Sequence, residues 1–201
     1  PPTGERGAPP PPPPPPATPP PAPRPPPGGA APPPMCPAPV PLASGLRVAS
    51  IAQAFGCRVL AYSRTKKDVP GITYTDLETL LKSSDIVSLH TPLTPETRGL
   101  IGEKELSSMK PSAILINTAR GPVVDSAALA DALNCGKIAG AGVDVFEMEP
   151  PVPADHPLLN AKNLIATPHV AFATREALVK RAAIVFDNID RWIKGTPANV
   201  I

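Results

Sequence analysis

The sequence predicts an α/β fold, a parallel sheet flanked by helices, over residues 45–201, behind a proline-rich segment expected to be disordered or in polyproline II form. Three observations predict this. Apolar runs too short for helices alternate with stretches of helical spacing, the pattern of βαβ units. Gly, Pro, Asn and Asp punctuate the junctions. Most of the 34 prolines fall before residue 42, in a stretch without Ile, Phe, Tyr, Trp, Lys, Asp or Asn. Such a stretch cannot bury enough apolar surface to offset its ordering entropy.

Taken in order, Leu46 to Phe55 has helical spacing, with Val48, Ile51 and Phe55 on related faces, and Gly56 is a C-terminal stop. Arg58 to Tyr62 reads as a strand, Leu77 to Leu81 as a helix, Ile86 to His90 as a strand and Lys104 to Met109 as a short helix. Ala113 to Asn117 is an apolar run bounded by turn residues, so it reads as a parallel strand buried on both faces. Ser126 to Leu133 is a helix capped by Asp125 or Ser126. Ala141 to Pro150 is a second buried strand running into acidic residues. Ala166 to Thr174 delivers a histidine ahead of a helix over Arg175 to Trp192.

Composition excludes several functions. The net charge of +2 is dispersed, which points away from nucleic acid. No apolar stretch approaches the roughly 20 residues of a membrane span. Cys36, Cys57 and Cys135 lie far apart without metal-ligand spacing, so no metal site is expected and reduced thiols in a cytoplasmic protein are. The proline tract also suits SH3 or WW grooves, although its simplicity names no partner.

The chemistry begins at Arg120, which follows the strand Ala113 to Asn117 at its carboxyl end, where open α/β sheets bind ligands. A guanidinium there can grip a small carboxylate with two parallel hydrogen bonds; the plainer alternative is a surface arginine. Downstream, Glu149 stands near the end of the first of the two segments that follow and His169 lies within the second; for His169 taken alone the plainer reading is a satisfied structural histidine.

Four motifs occur together: HTPLTPETRGLI from His90, MKPSAILINTARGPVVD from Met109, VDVFEMEP ending at Pro150, and TPHVAF around His169. In these motifs the chain resembles the D-isomer-specific 2-hydroxyacid dehydrogenases, which include glycerate dehydrogenase, hydroxypyruvate reductase and phosphoglycerate dehydrogenase. The resemblance runs from Gly45 to Ile201. It implies a Rossmann-like NAD- or NADP-binding domain, a small 2-oxo or 2-hydroxy acid such as hydroxypyruvate or glycerate as substrate, and dimer contacts through this domain. Arg120 would hold the substrate carboxylate and carbonyl, His169 would protonate the carbonyl oxygen, and Glu149 would pair with the imidazole, Glu147 being its rival. Gly45, Thr91, Pro92, Thr118, Ala119 and Asp144 would contact the cofactor. After the second strand the family often has an acidic residue for the ribose hydroxyls, where this chain has Ser63 and Arg64, a pair compatible with a 2′-phosphate and so with NADP.

Gly45 matches the third glycine of the family's pyrophosphate turn, but Val40 and Leu42 stand where the first two are expected. The first strand is therefore read as missing, and the sheet as truncated at its centre, between Arg58–Tyr62 and Ile86–His90. Pro37, Pro39 and Pro41 alternate, so an extended segment over residues 37–43 would pair along one edge at most. These departures predict impaired catalysis in this chain alone. The alternative function is a non-catalytic nucleotide-binding or interaction protein with a proline-rich arm. A reading-frame discontinuity before Gly45 would also yield such a tract, since its residues share GC-rich codons.

Overall fold

A computed structural model of the chain describes residues 43–66 and 68–199. The pairing expected for residues 37–43 lies outside them except for Ala43, and so do the disorder expected of the proline-rich arm and Cys36. Helix α1 spans Ala43–Ala54, beginning two residues before the predicted domain boundary. It ends as Gly56 predicts: Gly56 takes φ +80°, its N–H donates to Gln53 O and that of Cys57 to Ala52 O, which closes the last turn. Its buried face differs from the prediction. Ala49 and Ala52 are buried, whereas Ile51 and Phe55 are exposed, because the small residues are the ones set against strand β1 (Val59–Ala61).

The remaining elements are β2 (Ile72–Tyr74), α2 (Leu77–Ser83), β3 (Ile86–Leu89), α3 (Glu103–Ser108), β4 (Ile114–Asn117), α4 (Ser126–Asn134), β5 (Gly140–Val143), β6 (Leu164–Ala166) and α5 (Arg175–Ile193). The predicted helices and the strands at β1, β3 and β4 are present within three residues at either end. Two strands, β2 and β6, were not foreseen, each being only three residues long. The predicted strand from Ala141 runs only to Val143; the acidic residues follow on a loop. Asp76, Asp125 and Thr174 cap α2, α4 and α5 by accepting the backbone N–H groups of Thr79, Ala128 and Ala177.

All strand pairs are parallel, in the orders β1-β2 and β3-β4-β5-β6. Among the described residues the sheet is thus in two pieces, divided between β1 and β3, where the first strand was read as missing. Val59 of β1 and Ile86 of β3 still pack in one cluster beneath α1.

The register places Val87, Leu115 and Ala141 side by side on one face, with Leu89, Asn117 and Val143 on the same side, and all six are buried. Leu80, Leu81, Leu106, Leu129 and Leu133 from α2, α3 and α4 complete that core. The opposite face carries Ile114, Ile116 and Ile165, of which Ile114 and Ile165 are exposed. Burial of β4 on both faces is therefore corrected: helices cover one side, and α5 buries no residue of its own. No described helix is long and apolar enough to cross a membrane.

Candidate active site

Because β3 to β6 are parallel neighbours, their carboxyl ends and the loops that follow share one edge. The β4 loop carries Thr118, Ala119 and Arg120; the β5 loop carries Asp144 to Glu149; the β6 loop carries Thr167 to Phe172. Each is tied to the sheet: Asp144 N–H donates to Asn117 O and Thr167 N–H to Val143 O.

Asn117, which the sequence reading passed over, shapes the first loop. Buried at the end of β4, it accepts from Ala119 N–H and donates to Arg120 O, both at 3.1 Å, folding the chain around Thr118. A polar side chain closing the apolar run ILIN was the available signal. Arg120 is exposed and turns one guanidinium nitrogen onto Ala119 O. Gly121 is needed by close approach: a Cβ there would run into the Phe146–Glu147 peptide. The arginine loop is thereby seated against the acidic loop.

Glu149 holds two donors. Its Oε1 accepts Phe146 N–H at 2.5 Å, and its Oε2 lies 2.6 Å from His169 Nδ1. Burial opposes its ionisation, but the Phe146 bond and the His169 contact outweigh this and hold its carboxyl below the usual value. His169 takes φ +55°, an unusual conformation for a non-glycine residue that costs on the order of 1–3 kcal/mol. Asp144 holds it there. Nearly fully buried, Asp144 accepts from Thr167 Oγ1 at 2.5 Å, Val170 N–H at 2.8 Å and Ala171 N–H at 2.9 Å, bracketing His169 on both sides. Those bonds outweigh burial and lower its carboxyl too. Phe172 meets the His169 ring edge-on, and both line a cleft of about 570 Å³ with Phe146, Val152 and Leu159.

The other expected residues lie on the same edge or at the ends of β1 and α1. Thr91 follows β3, and its hydroxyl is buried without a hydrogen-bond partner among the described residues, although Pro92 beside it is exposed. Thr97 folds the loop by donating to Pro92 O and accepting from Thr94 N–H. Gly45 is buried in the first turn of α1. Ser63 is half-buried after β1, and Arg64 sits 3.9 Å from Glu96 across an exposed pair. Among the described residues no group of three His, Cys, Asp or Glu could hold a metal.

The sequence of residues 43–171 matches the family model "D-isomer specific 2-hydroxyacid dehydrogenase, NAD binding domain". The chain belongs to this family. A glyoxylate reductase from Thermococcus litoralis is 49% identical over 162 residues, 78% of this chain and 48% of that protein. Among solved structures, the NAD-complexed D-isomer specific 2-hydroxyacid dehydrogenase of Lactobacillus delbrueckii ssp. bulgaricus superposes with a TM-score of 0.76 at 39% identity, covering 83% of this chain and 55% of that one. An acyclic imino acid reductase in complex with NADPH and D-Arg superposes with the same TM-score, 0.76, at 36% identity, covering 84% and 54%. The chain spans about half the length of the relatives it matches, and that half carries the dehydrogenase family's nucleotide-binding domain.

The residues present fit a dinucleotide on two counts. The orphaned Thr91 hydroxyl lies at the carboxyl end of β3, where such folds bind ligands. Asp144 accepts only three of the roughly four hydrogen bonds a carboxylate can take.

Proposed function

We propose that this chain is the nucleotide-binding half of an oxidoreductase that interconverts a small 2-oxo acid, such as hydroxypyruvate, with its 2-hydroxy acid. The observation that carries this reading is the Glu149–His169 pair on the sheet edge that also bears Arg120. Relatives named for glyoxylate and hydroxypyruvate reduction support a substrate of this size. Thr91, Pro92, Thr118, Ala119, Asp144, Ser63, Arg64 and Gly45 would hold NAD or NADP, which when bound supplies the hydride.

Each side chain then has a defined task. Arg120 binds the substrate carboxylate through paired N–H donors and draws the neighbouring carbonyl toward His169. His169 offers its Nε2 proton to the carbonyl oxygen, while Glu149 at Nδ1 fixes the orientation of the ring. The apolar walls of Phe146, Val152, Leu159 and Phe172 keep water from the reacting carbonyl.

Titrating the full chain with NADH and NADPH, followed by assays with hydroxypyruvate and glyoxylate, tests the proposal. Cofactor binding with turnover abolished by His169→Ala supports it; binding of neither cofactor overturns it. The second reading, a non-catalytic nucleotide-binding or interaction protein, is favoured by Val40 and Leu42 standing where the family pattern has glycines. It predicts binding without turnover. A homodimer belongs to the first reading, supported by the exposed Val179, Phe186 and Trp192 on α5, and light scattering would detect it.

A further inference from the structure

We infer that Glu147 and His156 form a positioning pair that holds the Phe146–Glu147 peptide between the arginine loop and the Glu149–His169 couple. The inference rests on reading Arg120, Glu149 and His169 as the reacting group. Neither Glu147 nor His156 touches that group directly.

The geometry is a hub. One side of the Phe146–Glu147 peptide is the surface against which Gly121 packs without room for a Cβ, so the peptide sets the position of the chain leaving Arg120. On the other side of the same residue, the N–H of Phe146, part of the preceding Val145–Phe146 peptide, is the donor that fixes Glu149 Oε1. Phe146, whose two flanking peptides carry these two duties, must be held in place. Glu147 provides the anchor: Oε2 lies 3.0 Å from His156 Nε2.

His156 is itself fixed. Leu158 N–H donates to its Nδ1 at 3.3 Å, so Nδ1 carries a lone pair and the ring proton resides on Nε2, directed at Glu147. Phe146 meets the His156 ring at 5.3 Å and 83°, an edge-on contact that closes the hub. The side chain of His156 is only 10% exposed and that of Glu147 34% exposed, so the imidazole is held among protein atoms while the carboxylate keeps a solvent-facing side. The pair thus transmits the position of the turn Pro157–Asn160 to both functional loops at once.

Amide hydrogen exchange by NMR on the intact chain tests this without substrate or cofactor, so the outcome is independent of whether the chain turns over. In His156→Phe, which keeps an apolar ring but deletes the Nε2 donor, exchange of the Phe146 amide should accelerate at least tenfold. The His169 ring proton shared with Glu149 should broaden, while Val87 and Leu115 amides in the sheet stay unchanged. Glu147→Gln, which retains a carbonyl acceptor for one donor, should show a smaller acceleration and serves if the first variant fails to fold. An unchanged Phe146 amide in either variant overturns the inference, as does equal acceleration of every amide, which would mark the pair as general stabilisation only.

Discussion

His169 Nδ1 lies 2.6 Å from one oxygen of Glu149 while the other oxygen accepts Phe146 N–H, so a single carboxylate binds two loops together. Glu149 and Asp144 are both held below the ordinary carboxylate range in the folded chain. Their contribution to stability is therefore complete above the unfolded values of about 4 and is lost as pH falls through the lower folded ones. Thermal melts should show the midpoint dropping below about pH 4, and Glu149→Gln should make that drop shallower.

A second pH effect belongs to His90. Its ring is buried beside Ser88, 3.0 Å away, and burial pushes its pKa below the ordinary value of 6.5. On acidification the unfolded chain takes up the proton first, so stability present above about pH 6.5 is lost as pH falls toward the folded value. Melts between pH 7 and 5 should slope in the parent and flatten in His90→Gln. An unchanged slope in the variant would assign the effect elsewhere.

Asp144→Asn should destabilise the chain by about 1–3 kcal/mol, since an amide has one acceptor oxygen for three donors and turns an N–H toward another. Urea unfolding measures the loss. Exchange of the Val170 and Ala171 amides should rise beyond what the global loss explains, because both donate to Asp144.

Gly121→Ala should be worse tolerated than its size suggests. The added methyl meets backbone rather than a movable side chain, so relief requires shifting the Phe146–Glu147 peptide. A loss of roughly 1–3 kcal/mol or more is expected, read as a lower urea midpoint. Gly99→Ala, where nothing lies within 4 Å, separates this clash from the loss of a positive-φ glycine, which it alone incurs at φ +64°.

Cofactor choice should respond to Glu96. The exposed contact between Arg64 and Glu96 contributes little to stability, yet it leaves a carboxylate beside the guanidinium that would meet a 2′-phosphate. Glu96→Gln should tighten NADPH relative to NADH, and Arg64→Ala should weaken NADPH alone. A preference for NADH untouched by either change would remove Arg64 from the cofactor site.

The sequence by itself determined the alternation of helices and strands, the Gly56 stop, the Asp125 cap and the residues that meet at the sheet edge, because these depend on local pattern and on motifs with fixed spacing. The family motif preferred Glu149 to Glu147, and Glu149 is the carboxylate 2.6 Å from His169 Nδ1; among the described residues the sheet divides between β1 and β3. Strands β2 and β6 were missed, whereas β1, equally short, was read within the longer run Arg58 to Tyr62. Only the tertiary structure decided that β4 is covered on one face, that the alanines of α1 face inward, and that Asp144 spends its carboxylate on the His169 loop. It alone revealed Asn117, Gly121 and the Glu147–His156 pair as the parts that hold the loops. Those roles arise from contacts between residues far apart in the chain, and a side chain's burial and partners are set by what packs against it, which no local pattern encodes.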